Sequence, residues 1–152
     1  MANTPQHTYQ ILTKRPERMR PVVSRLRHEL PWQGWPLPNV WCGISCEDHD
    51  TADERIPILL DTPAAVRFIS AEPLLGPIEL APFGGLDWVI VGGESGAGAR
   101  PMDLEWVRSL RDRCTAAGVP FFFKQWGGRT PKAGGRELDG RTWDEMPGDV
   151  PS

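Results

Sequence analysis

Apolar residues gather in five short runs, and polar residues follow each run at once. Thr8–Thr13 (TYQILT), Asn39–Ser45 (NVWCGIS), Ala65–Ser70 (AVRFIS), Leu86–Val91 (LDWVIV) and Val119–Phe123 (VPFFF) are too short for helices. Their β-branched and aromatic content marks them as buried strands. Between them the period lengthens. Met19, Val22, Val23, Leu26 and Leu30 recur at helical spacing behind Pro16, which suits a helix start, while Pro21 makes the helix begin near it or bend there. Asp50 is placed to cap a second helix carrying Ala52, Ile56, Leu59 and Leu60, with a kink at Pro57. Asp103 caps a third, with Leu104, Val107, Leu110, Arg111, Cys114 and Ala117 inside it and Gly118 closing it. Pro31–Pro38 (PWQGWPLP) must be a loop.

Apolar strands alternating with helical crossovers predict an α/β fold: a parallel sheet of about five strands with flanking helices, a half or partial (β/α) barrel. The barrel domain spans 1–127, and 128–152 read as a polar, glycine-rich tail. In a parallel sheet the C-terminal strand ends share one edge, where such folds bind and react. Lys14-Arg15, Glu47-Asp48, Glu72, Glu94-Ser95 and Lys124-Gln125 then meet on a common rim. The plainer account is that polar residues follow any strand as the chain surfaces.

Composition adds bounds. A chain of 152 residues fits one domain with a real core. A formal net charge of −3 gives no global pull toward nucleic acid or anionic membrane. Lys14, Arg15, Arg18, Arg20, Arg25 and Arg27 form a local basic run that could touch phosphates, although a solvated helix face is the ordinary reading. Three cysteines without a disulfide-like framework point to a reducing, cytoplasmic setting. No leader and no membrane-length apolar run is visible. Seven tryptophans are a heavy apolar load, and Trp32, Trp35, Trp126 and Trp143 fall in or near loops.

The chemistry concentrates after the fourth strand, in Gly92, Gly93, Glu94, Ser95 and the residues up to Arg100. Glycine-loop amides ahead of a helix make an anion receptor, with Arg100 as a clamp; a tight turn with Glu94 paired to Arg100 or Lys124 is the alternative. The pattern is neither G-x-G-x-x-G nor a P-loop. A nucleophile elbow at Ser95 is disfavoured, because the helix starts late and His7, His28 and His49 all precede the serine. Glu47, Glu72 and Glu94, facing Lys14, Arg15 and Lys124, would suit a polar substrate; a divalent ion or plain salt bridges are the alternatives. Gln125-Trp126 could form a stacking wall for a base, or Trp126 could cap the barrel.

The segments LTKRPERM (Leu12–Met19), LPNVWCGISCED (Leu37–Asp48), ADERIPILLDTPAAVRFISAEPLLGPI (Ala52–Ile78), DWVIVGGESGAGARPM (Asp87–Met102) and GVPFFFKQWG (Gly118–Gly127) resemble the C-terminal half of phage-associated, radical-SAM-like proteins of uncharacterised function. The resemblance runs from about Pro5 to Gly127 and implies a partial or complete (β/α) barrel. It further implies S-adenosylmethionine as a ligand and an N-terminal half with an iron–sulfur cysteine cluster. Met1 stands just ahead of the first matching strand, so that half is expected to be missing, leaving this chain non-catalytic alone. Cys42, Cys46 and His49 read C-x3-C-x2-H, but four extended residues separate the sulfurs by about 13 Å, too far for one small cluster. Packing cysteines and no metal site are expected. The expected partner is a second copy or a separately encoded N-terminal half, with no membrane. Two functions follow: the substrate- or cofactor-binding half of a radical-SAM-like enzyme, or a non-enzymatic phage-related module that binds protein.

Overall fold

The computed structural model describes residues 1–29, 34–79 and 84–148. Leu30, the part of the expected loop from Pro31 to Gln33 that holds Trp32, and the last four positions of the tail lie outside the described residues. The elements are β1 (Tyr9–Thr13), α1 (Pro16–Glu29), β2 (Val40–Ser45), α2 (His49–Leu60), β3 (Val66–Ala71), β4 (Trp88–Gly92), α3 (Leu104–Ala117) and β5 (Phe121–Gln125). They form one five-stranded sheet in strictly sequential order, β1-β2-β3-β4-β5, with every pair parallel. This is the expected α/β architecture, an open partial barrel.

Sequential order with crossovers of one hand places every helix on the same face. The burial pattern agrees. Cys42, Ile44, Ile69, Val89, Val91, Phe121 and Phe123 alternate along the strands into one core with Met19 and Val23 of α1, Leu59 of α2, and Val107, Leu110 and Cys114 of α3. The intervening residues Gln10, Leu12, Trp41, Phe68, Ser70, Trp88, Ile90, Phe122 and Lys124 therefore face the other side, which no helix among the described residues covers. Parallel sheets ordinarily have both faces covered. Here the second face is the concave wall of a half-barrel.

Two local expectations change. The cap of α2 is Asp48, not Asp50: its carboxylate accepts from the Thr51 amide at 3.0 Å, and the Thr51 hydroxyl accepts from the Asp48 amide at 3.1 Å. This reciprocal pair satisfies two otherwise orphaned amides and starts the helix at His49, leaving Asp50 in the first turn. The fifth strand lies two residues later than its apolar run. The Val119 amide closes α3 onto Cys114 O (2.9 Å), and Pro120 has no amide to give a ladder. Lys124 and Gln125 extend the strand instead. α1 continues through Pro21 as a single helix.

The sheet's two edges differ. Residues beyond Gly127 return along β5, where the amides of Phe121 and Phe123 donate to Glu145 Oε2 and Trp143 O, both at 2.9 Å. Leu138 and Arg141 exchange backbone hydrogen bonds around Asp139 (φ 52°) and Gly140 (φ 78°), the positive-φ pair of a tight hairpin turn. Leu138 is fully buried in the core. At β1, Tyr9 donates to Asn39 O (2.8 Å), so by alternation the backbone groups of Gln10 and Leu12 point away from β2. Leu12 is 49% exposed. Among the described residues no helix is long and apolar enough to cross a membrane.

Candidate functional site

Parallel strands bring the predicted polar ends to one edge, where three carboxylates each gather their own local cations. At β2, Glu47 meets Lys14 Nζ at 2.5 Å and Arg55 Nη1 at 3.0 Å, and Arg55 also donates to Ser45 O at 2.7 Å. The preceding strand supplies Lys14; Arg55 comes from the second turn of α2, a partner that the sequence pattern did not reveal. Arg15 is exposed, and its carbonyl accepts from Met19 to open α1.

At β3, Glu72 Oε2 lies 3.1 Å from Lys124 Nζ on β5 and 3.4 Å from Ser70 Oγ. Its other oxygen, Oε1, is buried with no hydrogen-bond donor. The carboxylate lies across β4 because Gly92 has no side chain: a β-carbon there would overlap Oε1. Gly43 does the same on β2, giving its space to the Phe68 ring. Two glycines on the uncovered face thus let β3 lay an aromatic ring one way and a carboxylate the other.

At β4, Glu94 takes Arg100 in a fork, from Nε and Nη2 at 2.8 Å each, and also the Arg100 amide at 2.9 Å. The Arg100 guanidinium and amide hold the Glu94 carboxyl down at about 2. The glycine loop is tied to the turn after β5. Gly93 donates to Gln125 O (2.9 Å), Gly96 to Gly128 O (2.9 Å) and Gly128 to Glu94 O (2.8 Å). The amides of Gly93, Gly96 and Arg100, foreseen as part of an anion receptor, are thus used inside the chain. Gln125 Nε2 donates to Ser95 Oγ at 2.9 Å, joining two predicted site residues across strands. Trp126 packs edge-on against Phe123 with centroids 4.9 Å apart and donates to Glu137 O at 2.7 Å. In that position it braces the loop after β5.

Beside this rim the concave face opens into a cleft of about 390 Å³. Leu12, Phe68, Trp88, Ile90 and Phe122 form its apolar wall; Ser70, Glu72 and Lys124 line it toward the rim, and Gln10 on β1 is its other polar residue. Trp88 is wedged among Trp41, Phe68 and Phe122 at centroid distances of 6.0, 5.7 and 5.9 Å, and its indole donates to Glu145 O at 2.8 Å. The returning tail therefore helps fix the cleft wall. Sequence reading named Glu72 and Lys124 but missed these aromatics, whose only signal was the alternate position on each strand.

Cys42 and Cys46 are buried on the helix-covered face. Burial raises both thiols, Cys46 to about 12. They are packing residues. Among the described residues no three His, Cys, Asp or Glu side chains group as a metal site.

No curated protein and no solved structure matches the chain. A family model does, over residues 1–147, a span that takes in the returning tail as well as the sheet. The chain belongs to that family, described as a protein of unknown function (DUF5131).

Proposed function

We propose that this chain is the substrate- or cofactor-binding half of a phage-associated, radical-SAM-like (β/α)-barrel enzyme. The observation that carries the reading is the coincidence of an uncovered concave face, a cleft and a polar rim at the C-terminal ends of the same strands. Lys14, Arg15, Glu47, Glu72, Lys124, Gln125 and Trp126 would serve substrate. Gly92, Gly93, Glu94, Ser95 and Arg100 would serve S-adenosylmethionine.

The residues assigned to S-adenosylmethionine fit it in one respect: Glu94 and Ser95 are partly exposed and Arg100 is exposed at the rim, a charged and hydroxyl-bearing set open to a zwitterionic amino-acid tail. S-adenosylmethionine, when bound, supplies an electrophilic sulfonium carrying an amino-acid tail and an adenosyl group. The chain's own part is to hold and orient it; Glu94 stays ionised near neutral pH because Arg100 keeps its pKa low. An iron–sulfur cluster does not fit. Cys42 and Cys46 are buried on the helix side, and no step is assigned to a cluster in this chain. Residues other than those of this sheet would have to bring it. The open β1 edge, opposite the sealed β5 edge, is where a further strand would join, from a separately encoded half or a second copy. That edge equally favours the alternative of a non-enzymatic module that binds protein by strand addition.

Isothermal calorimetry with S-adenosylmethionine tests the reading. Wild-type protein should give saturable heat, and Glu94→Ala should weaken the binding about tenfold or more by releasing Arg100 and the loop. Absence of binding to wild type, with a protein partner recovered on the β1 edge, would favour the module.

A further inference from the structure

We propose that the concave cleft binds a flat amino-substituted heterocycle, with an exocyclic amine beside a ring-nitrogen acceptor, as adenine and cytosine have. This deepens the substrate-binding part of the reading above by naming a ligand class. It rests on cleft residues separate from Glu94 and Arg100, so the two can fail independently.

Size comes first. At about 390 Å³ the cleft lies near the lower end of the roughly 300–1,000 Å³ common for small-molecule sites, room for a ring system with a small substituent. Shape comes next. Leu12 is exposed, Ile90 and Phe122 are half-buried, and the buried Phe68 and Trp88 stand beside them on the same face of the sheet. An apolar wall of this kind takes the face of a flat ring in preference to a hydrated chain.

Polarity sets the edge. Glu72 and Lys124 stand side by side at one end of the wall, 3.1 Å apart. Lys124 has three donors and its ammonium is half exposed, so it can serve an acceptor without leaving Glu72. Glu72 has unfilled accepting capacity in Oε1. Its terminal torsion is soft, so the carboxylate can turn that oxygen toward an incoming N–H. A donor next to an acceptor on one ring edge answers both groups at once. A ring held in the same pose with a carbonyl in place of the amine would set oxygen against the carboxylate, and its ring N–H, which replaces the acceptor, would meet the Lys124 ammonium; only a shift along the apolar wall would restore the match.

The test is titration of the full chain with adenosine, cytidine and their deaminated counterparts, inosine and uridine. The amino forms should bind tighter by about ten- to a hundredfold, the range of a charge-assisted hydrogen bond. Glu72→Ala should remove that preference, and Gly92→Ala, which displaces the carboxylate without deleting it, should weaken it. Melting curves and far-UV spectra confirm that both variants remain folded. Glu94→Ala should leave nucleoside binding unchanged. Equal binding of the amino and deaminated forms overturns the proposal, as does absence of binding or a preference that survives Glu72→Ala. Amino-selective nucleoside binding that depends on Glu72, with S-adenosylmethionine binding as indifferent to Glu94→Ala as adenosine is, would sink only the cofactor reading.

Discussion

Gly93 lies against the carbonyl of Trp126 so closely that a β-carbon on Gly93 would overlap the carbonyl oxygen. The contact is reciprocal in kind, since a β-carbon on Gly127 would overlap the Glu94 carbonyl. The loops leaving β4 and β5 therefore cross backbone to backbone, joined by the Gly93, Gly96 and Gly128 hydrogen bonds. This crossing fixes where Glu94, Ser95, Gln125 and Trp126 can stand.

Neighbouring glycines should respond to different degrees. In Gly93→Ala the obstacle is backbone, which cannot yield, so unfolding free energy should fall by more than about 2 kcal/mol. In Gly92→Ala the obstacle is the far end of the Glu72 side chain, which can rotate aside, and the loss should stay within about 1 kcal/mol. Urea denaturation of the two variants makes the comparison; equal losses would show that the crossing is not rigid.

The start of α2 offers a second pair. Asp48→Ala removes one member of the reciprocal hydrogen bonds with Thr51 and should cost about 1 kcal/mol. Asp50→Ala removes only a carboxylate in the first turn, worth a few tenths of that through the helix dipole. Denaturant midpoints decide, and a larger effect at Asp50 would contradict the capping geometry.

Those comparisons show how far the sequence was legible. Hydrophobic runs with polar ends were enough for five parallel strands, because a buried strand must be apolar whichever neighbour it meets. Adjacent acids were not enough to choose the cap of α2, since Asp48 and Asp50 differ only in what Thr51 can reach. Glu72 and Lys124 were read as site residues from their places at strand ends, yet the unfilled oxygen of Glu72 depends on Gly92 of another strand. The aromatic wall was hidden for a similar reason: Phe68, Trp88 and Phe122 read as core, and only the absence of helices from their face makes them a cleft. In the glycine-rich tail, the Asp139-Gly140 pair was a readable turn signal that had no flanking strand pattern to support it.

Acid sensitivity should arise at Glu94 and Asp139, with Asp48, lowered by the Thr51 amide and hydroxyl, adding to it. Arg100 holds Glu94 at about 2, against an ordinary 4.5, and Arg108 with Arg111 holds Asp139 at about 2, against 3.8. Both folded-state values are depressed, so the unfolded chain binds more protons in this window. Their stabilisation is full above the ordinary carboxyl values and is lost as pH falls toward 2. The urea midpoint of wild type should drop between about pH 5 and about pH 3, and Glu94→Gln should show a shallower drop. Added salt should shrink the difference, because both pairs are exposed. An identical pH slope in Glu94→Gln would remove Glu94 from the account.

The cysteines should be silent in the folded protein. Burial pushes Cys46 and Cys114 up to about 12, which leaves a thiolate fraction of about one in ten thousand at pH 8. Iodoacetamide should label none of the three buried thiols at an appreciable rate until urea unfolds the chain. Rapid labelling of Cys46 in native protein would mean that the helix-covered face opens, and would reopen the question of ligands there.

The last prediction concerns the seal on β5. Leu138 is fully buried, and the turn that follows it places Asp139 against Arg108 and Arg111 at 2.6 and 2.5 Å. Trp143, beyond the turn, stacks edge-on against Phe121 at 5.8 Å and carries the Arg141 guanidinium 3.5 Å from its ring centroid. Leu138 is thus the one fully buried apolar side chain described in a segment that is held besides by half-buried Trp143, by hydrogen bonds to Trp88, Phe121 and Phe123, and by surface pairs, which are individually weak. Leu138→Ala should cost about 2–5 kcal/mol and loosen the segment as a unit. The amides of Phe121 and Phe123 would then lose their partners Glu145 and Trp143 and exchange faster with deuterium. An exposed strand edge recruits other strands, so the variant should also aggregate more readily than Asp139→Asn, which weakens a surface pair and keeps the anchor. If Leu138→Ala leaves the exchange of Phe121 and Phe123 unchanged, the tail is not what closes that edge, and the asymmetry between β5 and the open β1 edge loses its physical basis.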